Sequence, residues 1–169
     1  MQALSARVAN SLVPHGIRPG DVVVGLLPPP ELVVTILCTW RAGAVYQPLF
    51  TAFGPKAIEH RLHMSGAKLV ITDITNRGKL VDIISCPRSG TVLEFGQRLP
   101  EGDIDFYDAL EVQSATFGLV MRKSTDPFLV MSTSGITGIP KGVPVPLRAL
   151  VAFGAYMRDA VDLRPEARF

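Results

Sequence analysis

The densest concentration of chemically useful residues is MSTSGITGIPKGVPVP, at positions 131–146. An apolar run, Phe128, Leu129, Val130 and Met131, leads directly into Ser132, Thr133, Ser134, Gly135, Ile136, Thr137 and Gly138, followed by Pro140, Lys141 and Gly142. Gly135 and Gly138 let the backbone turn tightly and point N–H groups inward. The hydroxyls of Ser132, Thr133, Ser134 and Thr137 add donors, and Lys141 adds a mobile positive charge. Consecutive backbone donors make an anion-binding concavity, so phosphate is the natural guest. The segment is not a Walker loop, which needs Ser or Thr after Gly-Lys; here Pro140 precedes the lysine and Gly142 follows it. A plain polar turn is the competing reading. The preceding strand, the spaced glycines and Pro-Lys-Gly together outweigh it.

Other reactive residues give weaker signals. His60 and His63 are three apart on an expected helix, a spacing that can bind metal, but no third ligand accompanies them, so a helix surface is expected. Glu101, Asp103, Asp105, Asp108 and Glu111 fall within one stretch without a base. Their spacing matches no calcium loop, and the expectation is a solvated surface and helix start. Arg122-Lys123 is expected in a solvated loop. Cys38 falls in an apolar helical pattern and reads as a buried thiol, while Cys86 precedes Pro87 in a loop; no disulfide framework or zinc site follows. No metal ligand set is expected.

The elements that must position the loop alternate between helix and strand. Leu4, Val8, Ala9, Leu12 and Val13 outline a first helix, ended by Pro14 and Gly16. Residues 22–27, VVVGLL, read as a strand buried on both faces. Pro30 suits the first position of the next helix, with Glu31 in its first turn and Gly43 beyond its end. A short strand at 44–46 and the connection QPLFTAFG precede a helix opened by Pro55 and ended before Gly66. Further expectations are a strand at 68–72, a weaker helix at 76–84, a short strand at 91–94 and an acidic helical turn at 106–112. The strand at 128–131 then feeds the Gly-rich loop. This order predicts an α/β fold with a doubly wound, mainly parallel sheet flanked by helices.

Composition narrows the function. The 169 residues are 47% hydrophobic and 19% charged, which excludes wholesale disorder. Mean hydropathy is +0.29, consistent with elements buried on more than one face. No apolar run approaches the roughly 18 residues that span a bilayer. The N-terminus lacks the layout of a secretory signal, so a cytoplasmic location is expected. Seventeen Lys and Arg against fifteen Asp and Glu leave a formal charge of +2, too small and too scattered to suggest nucleic acid.

The loop STSGITGIPKG resembles the phosphate-binding signature of the adenylate-forming (AMP-binding) superfamily, which includes acyl-CoA synthetases, peptide-synthetase adenylation domains and luciferases. Its usual form is Thr-Ser-Gly-Thr/Ser-Thr-Gly-x-Pro-Lys-Gly, and Ile136 is the departure. Upstream, GIRPGDVVVGLLPPPELVVTILCTWRAGAVYQPLF and AIEHRLHMSGAKLVIT resemble the family's early stretches, with Pro28 to Glu31 one residue shorter than usual. The wording is most similar to acetyl- or medium-chain acyl-CoA synthetases, and the resemblance covers nearly the whole chain.

The resemblance implies a two-step reaction. A carboxylate attacks the α-phosphate of ATP to give an acyl-adenylate and pyrophosphate; coenzyme A then displaces AMP. Thr133, Ser134, Gly135, Thr137, Gly138 and Lys141 would embrace the β- and γ-phosphates, with Mg²⁺ sharing the charge. Family members are several times longer and carry their adenine pocket, ribose-binding Asp, magnesium-associated acid and C-terminal catalytic Lys downstream. Residues 1–169 are therefore expected to be an N-terminal part of one AMP-binding domain, cut at both ends and inactive alone, without a catalytic residue of its own and with the acyl pocket mostly elsewhere. The alternatives are a non-catalytic phosphate- or partner-binding module, or a structural remnant that self-associates through uncovered apolar surface.

Overall fold

Three consecutive valines and a leucine make β1 (Val22–Leu26), in which Val23, Val24 and Leu26 are fully buried. β-Branched residues buried on both faces suit a central parallel strand. The computed structural model describes residues 2–29, 31–83, 87–92, 101, 103–105, 111–133, 139–164 and 166. In chain order, α1 (Gln2–Leu12) precedes β1, and α2 (Glu31–Arg41), β2 (Val45–Pro48), α3 (Pro55–Ser65) and β3 (Leu69–Asp73) follow it. Then come a single turn α4 (Ile74–Arg77) continued by a 3₁₀ turn (Gly78–Leu80), β4 (Arg88–Val92) and β5 (Ile104–Asp105). β6 (Pro127–Ser132), β7 (Gly142–Pro146) and α5 (Arg148–Asp159) complete the described elements. Gly66 ends α3 at φ 61°, where its N–H bonds to helix carbonyls; a side chain would strain this left-handed cap.

The seven strands lie in the order β5-β4-β3-β1-β2-β6-β7. All neighbouring pairs are parallel except β6 with β7, which form an antiparallel pair at the edge. Pro144 and Pro146 sit in that edge strand, where missing N–H donors cost least and discourage further pairing. Alternation along β1 and β3 divides the core. Val23 and Ile71 join Val8, Leu12, Val34 and Cys38 of α1 and α2 on one face. Val24 and Val70 join Ile58 and Leu62 of α3, with Leu80, on the other. The sheet is thus doubly wound, as the strand–helix alternation implies.

Several details differ from the sequence reading. Instead of a helix over 76–84, α4 begins at Ile74, because the Asp73 carboxylate accepts the Asn76 N–H at 2.6 Å and caps the turn. Gly78, a poor helix former, then begins the tighter 3₁₀ turn that buries Leu80. The fourth strand starts at Arg88 because it follows β3 in register, Leu69 opposite Arg88 through Asp73 opposite Val92. The acidic stretch is not uniformly solvated: the Asp103 side chain is 3% exposed and pairs with Arg77 at 2.6 Å. Arg122 is likewise no loop charge in solvent, since it pairs with Asp126 at 2.9 Å and also donates to the Gly43 carbonyl. Cys38 is buried as expected. Pro30, Cys86, residues 93 and 94 and most of the acidic turn (106–110) lie outside the described residues.

Candidate functional site

β6 carries the Gly-rich segment to the carboxyl end of the sheet, and three contacts hold that strand. Leu129 pairs with Tyr46 of β2. Trp40 of α2 donates from Nε1 to the Phe128 carbonyl at 2.9 Å, and their rings meet edge-on with centroids 5.3 Å apart. At the base, the Asp126 carboxylate accepts the Lys123 N–H at 2.9 Å while its carbonyl accepts the Leu147 N–H at 2.9 Å. The Arg122 guanidinium hydrogen-bonded to Asp126, with help from the Lys123 N–H, holds its carboxyl below the ordinary aspartate range. This corner joins the incoming end of β6 to the outgoing end of β7.

The loop leaves β6 at Ser132 and returns at Gly142, which face each other in the antiparallel register. Just above them, the Thr133 N–H donates to the Lys141 carbonyl and the Lys141 N–H donates to Thr133 Oγ1, both at 2.9 Å. Backbone pairing and a side-chain acceptor therefore close the neck of the loop from both directions. Lys141 is exposed, and its ammonium has no partner among the described residues. It is a cation at the rim of the loop, free to meet an anion. Of the six predicted phosphate-binding residues, the structure brings Thr133 and Lys141 together; Ser134, Gly135, Thr137 and Gly138 lie outside the described residues, as does Ile136.

Helix α3 braces the returning arm. His60 Nε2 lies 2.8 Å from the Pro140 carbonyl, so the ring N–H donates to the residue preceding Lys141. Met64, one turn further, packs against Gly142: a Cβ there would approach the methionine Cε to 2.9 Å and its sulfur to 3.2 Å. His60 is thus a half-buried tether rather than a plain surface residue. His63 is exposed, and among the described residues no group of His, Cys, Asp or Glu could hold a metal ion. The tether was not legible from spacing, because its partner is a backbone carbonyl 80 residues away.

The family model described as "AMP-binding enzyme" matches residues 1–169, the whole chain. The chain belongs to the AMP-binding enzyme family. It is 33% identical over 159 residues to the acetyl-coenzyme A synthetase of Sodalis glossinidius, covering 81% of this chain and 24% of that protein. It is 36% identical over 155 residues to the acetyl-coenzyme A synthetase of Emericella nidulans, covering 82% of this chain and 23% of that protein. The crystal structure of an acyl-CoA synthetase from Brucella canis superimposes with a TM-score of 0.93 at 62% identity, covering 98% of this chain and 30% of that one. ATP-bound MatB from Rhodopseudomonas palustris superimposes at 0.80 with 29% identity, covering 94% and 31%. The chain thus spans between about a quarter and a third of these AMP-binding relatives. No helix among its described residues is long and apolar enough to cross a membrane.

Proposed function

We propose that residues 1–169 form the front part of one AMP-binding domain of an ATP-dependent carboxylate–CoA ligase, with loop 132–142 as its grip on the triphosphate. The observation that carries this reading is the doubly hydrogen-bonded neck between Thr133 and Lys141, at the carboxyl end of a parallel strand. A closed neck at the carboxyl end of a strand suits a loop whose backbone N–H groups would converge on an anion. Lys141 then places its ammonium beside the same anion. Thr133, Ser134, Gly135, Thr137, Gly138 and Lys141 would hold the β- and γ-phosphates, and Mg²⁺ would accompany the nucleotide, bound largely through phosphate oxygens and water.

The contribution of these residues is positioning and charge stabilisation. ATP would supply the activated phosphorus, a carboxylate would attack it to form the acyl-adenylate and release pyrophosphate, and coenzyme A would accept the acyl group. Phosphoryl chemistry of this type depends on fixed donors rather than on a protein nucleophile. Holding the pyrophosphate leaving group steadies the charge that develops on it.

Calorimetric titration with Mg-free pyrophosphate and with ATP tests the reading. Lys141→Ala should weaken binding by about one to two orders of magnitude, corresponding to the roughly 1.5–3 kcal/mol of a charge-assisted contact. Equal affinities for the two proteins would remove Lys141 from the site and the triphosphate from the loop.

A further inference from the structure

The strand that carries the loop is loosely tied to the rest of the sheet. β1 follows β2 in register from Val22 opposite Val45 to Gly25 opposite Pro48, and follows β3 from Val23 opposite Leu69 to Leu26 opposite Thr72. β2 and β6, by contrast, share one registered pair among the described residues, Tyr46 opposite Leu129. Pro48 supplies the reason. The Val45 N–H donates to the Asp21 carbonyl at 2.8 Å and the Leu49 N–H to the Gly25 carbonyl at 2.9 Å, both on the β1 side. Successive residues of a parallel strand turn their N–H groups to opposite neighbours, so positions 46 and 48 face β6. Proline has no N–H to give. The end of β6 nearest the loop, Val130 to Ser132, therefore receives no N–H from β2 beyond Tyr46. β7 accompanies β6 from Leu129 opposite Val145 to Ser132 opposite Gly142, but β7 is the edge strand, so the hairpin joins the sheet through β6.

A side chain reinforces the base of that hairpin. Trp40 donates from Nε1 to the Phe128 carbonyl at 2.9 Å, one residue before the Leu129 pair, and the two rings meet edge-on. Trp40 also borders a cleft of about 90 Å³, lined as well by Phe128, Leu147 and Leu150. With open space beside it, the indole is placed by its hydrogen bond and by Phe128 rather than by packing all round. From Phe128 to Thr133 the strand runs about 16 Å, at about 3.3 Å per residue, so a tilt of about 5° at the base displaces the loop by about 1.4 Å. A misplacement of about 1 Å, even from a residue far from the bound group, is enough to spoil alignment.

We propose that Trp40 is a positioning residue for loop 132–142: its indole N–H and ring set the tilt of β6, and with it the place where the loop meets an anion. The proposal rests on the reading of that loop as a phosphate grip. His60 and Met64 brace the returning arm, and Trp40 sets the outgoing one.

Trp40 is the one tryptophan of the chain, so its indole N–H gives a single, unambiguous NMR cross-peak. Mg-free pyrophosphate, titrated into the 169-residue chain, should shift that cross-peak saturably, with the midpoint found by calorimetry. A tryptophan that only supported the fold would stabilise the chain without sensing the ligand. Trp40→benzothienylalanine keeps the ring shape and replaces the N–H by sulfur; it should weaken pyrophosphate binding about threefold to tenfold, the worth of one hydrogen bond. Trp40→fluorotryptophan keeps the donor and should bind within about twofold of the unsubstituted chain. If the sulfur variant does not fold, the cross-peak of the unsubstituted chain decides. A cross-peak that stays still while pyrophosphate binds, or equal affinity in the folded sulfur variant, would overturn the role of Trp40 and leave the phosphate grip standing. No pyrophosphate binding by the unsubstituted chain would overturn the phosphate grip, and this proposal with it.

Discussion

His60 and Pro140 are joined by a 2.8 Å hydrogen bond that ties helix α3 to the returning arm of the Gly-rich loop. With Met64 packed on Gly142, one helix face braces the chain on either side of Lys141. His60→Phe should therefore weaken pyrophosphate binding about threefold to tenfold, the worth of one hydrogen bond plus some added loop freedom. His60→Gln, which keeps a donor at similar reach, should recover most of it. Amide exchange at Lys141 gives a readout independent of ligand. If His60→Phe leaves both exchange and affinity unchanged, the tether does not position the loop.

Ile136 stands where the family carries a hydroxyl. It offers no donor, and its branching stiffens a segment that has to adapt to phosphate. Ile136→Thr should strengthen pyrophosphate binding by about 1 kcal/mol, one net hydrogen bond. Unchanged or weaker binding in the same titration would show that the hydroxyl has no phosphate-facing role.

Acyl-adenylate formation is not expected from this polypeptide alone. Alignment of carboxylate and α-phosphate accounts for roughly 7–11 kcal/mol of barrier reduction in well-oriented reactions. A loop that held only the phosphate tail would leave the α-phosphate unaligned, and losing half that contribution would slow the reaction by several hundredfold or more, at about 1.36 kcal/mol per decade. Pyrophosphate release with ATP, Mg²⁺ and a panel of carboxylates measures this. Sustained carboxylate-dependent turnover would contradict it.

Asp103 pairs with Arg77 through two hydrogen bonds, at 2.6 and 2.9 Å, with the carboxylate side chain almost fully buried. Asp103→Asn keeps the shape but removes one counter-charge from the part-buried Arg77 guanidinium. A loss of about 2 kcal/mol is expected, reduced from the fully buried case because Arg77 retains some solvent. Urea denaturation midpoints of the two proteins give the comparison; coincident midpoints would mean that the pair contributes nothing net.

Burial pushes the Cys38 thiol up from 9.0 to about 12, with hydrogen bonds to Thr39 and nearby backbone opposing only in part. Burial also raises the Tyr46 hydroxyl above its ordinary value. The folded chain therefore holds protons that the unfolded chain releases. This contribution to stability is complete below about pH 9 and is lost as pH rises through about 12. Denaturation midpoints should fall between pH 8 and pH 10.5 and fall less in Cys38→Ala, relative to its own value at pH 8. The same burial should keep Cys38 unreactive toward iodoacetamide until the chain unfolds. Rapid alkylation of the folded protein would contradict the buried thiol.

Much of the fold is written locally. The valine run of β1, Pro55 and Gly66 around α3, and Phe128 to Met131 before the loop each carry their element in a few neighbouring residues, because burial period, chain stiffness and left-handed caps are short-range properties. The loop's chemistry is legible for the same reason, since consecutive donors and Lys141 need only proximity along the chain. Other features required the chain to come together. The antiparallel return of β7 has two prolines that read as turn residues and become edge-strand residues only beside β6. Helix α5 buries none of its residues, and the sequence reading placed no element there. Asp103 looked solvated until α4 brought Arg77 to it, and His60 looked like helix surface until Pro140 arrived from 80 residues away. Local sequence determines which backbone a segment prefers, whereas the partner of a charge, a ring nitrogen or a carbonyl is set by distance in space, and only the packed sheet decides that.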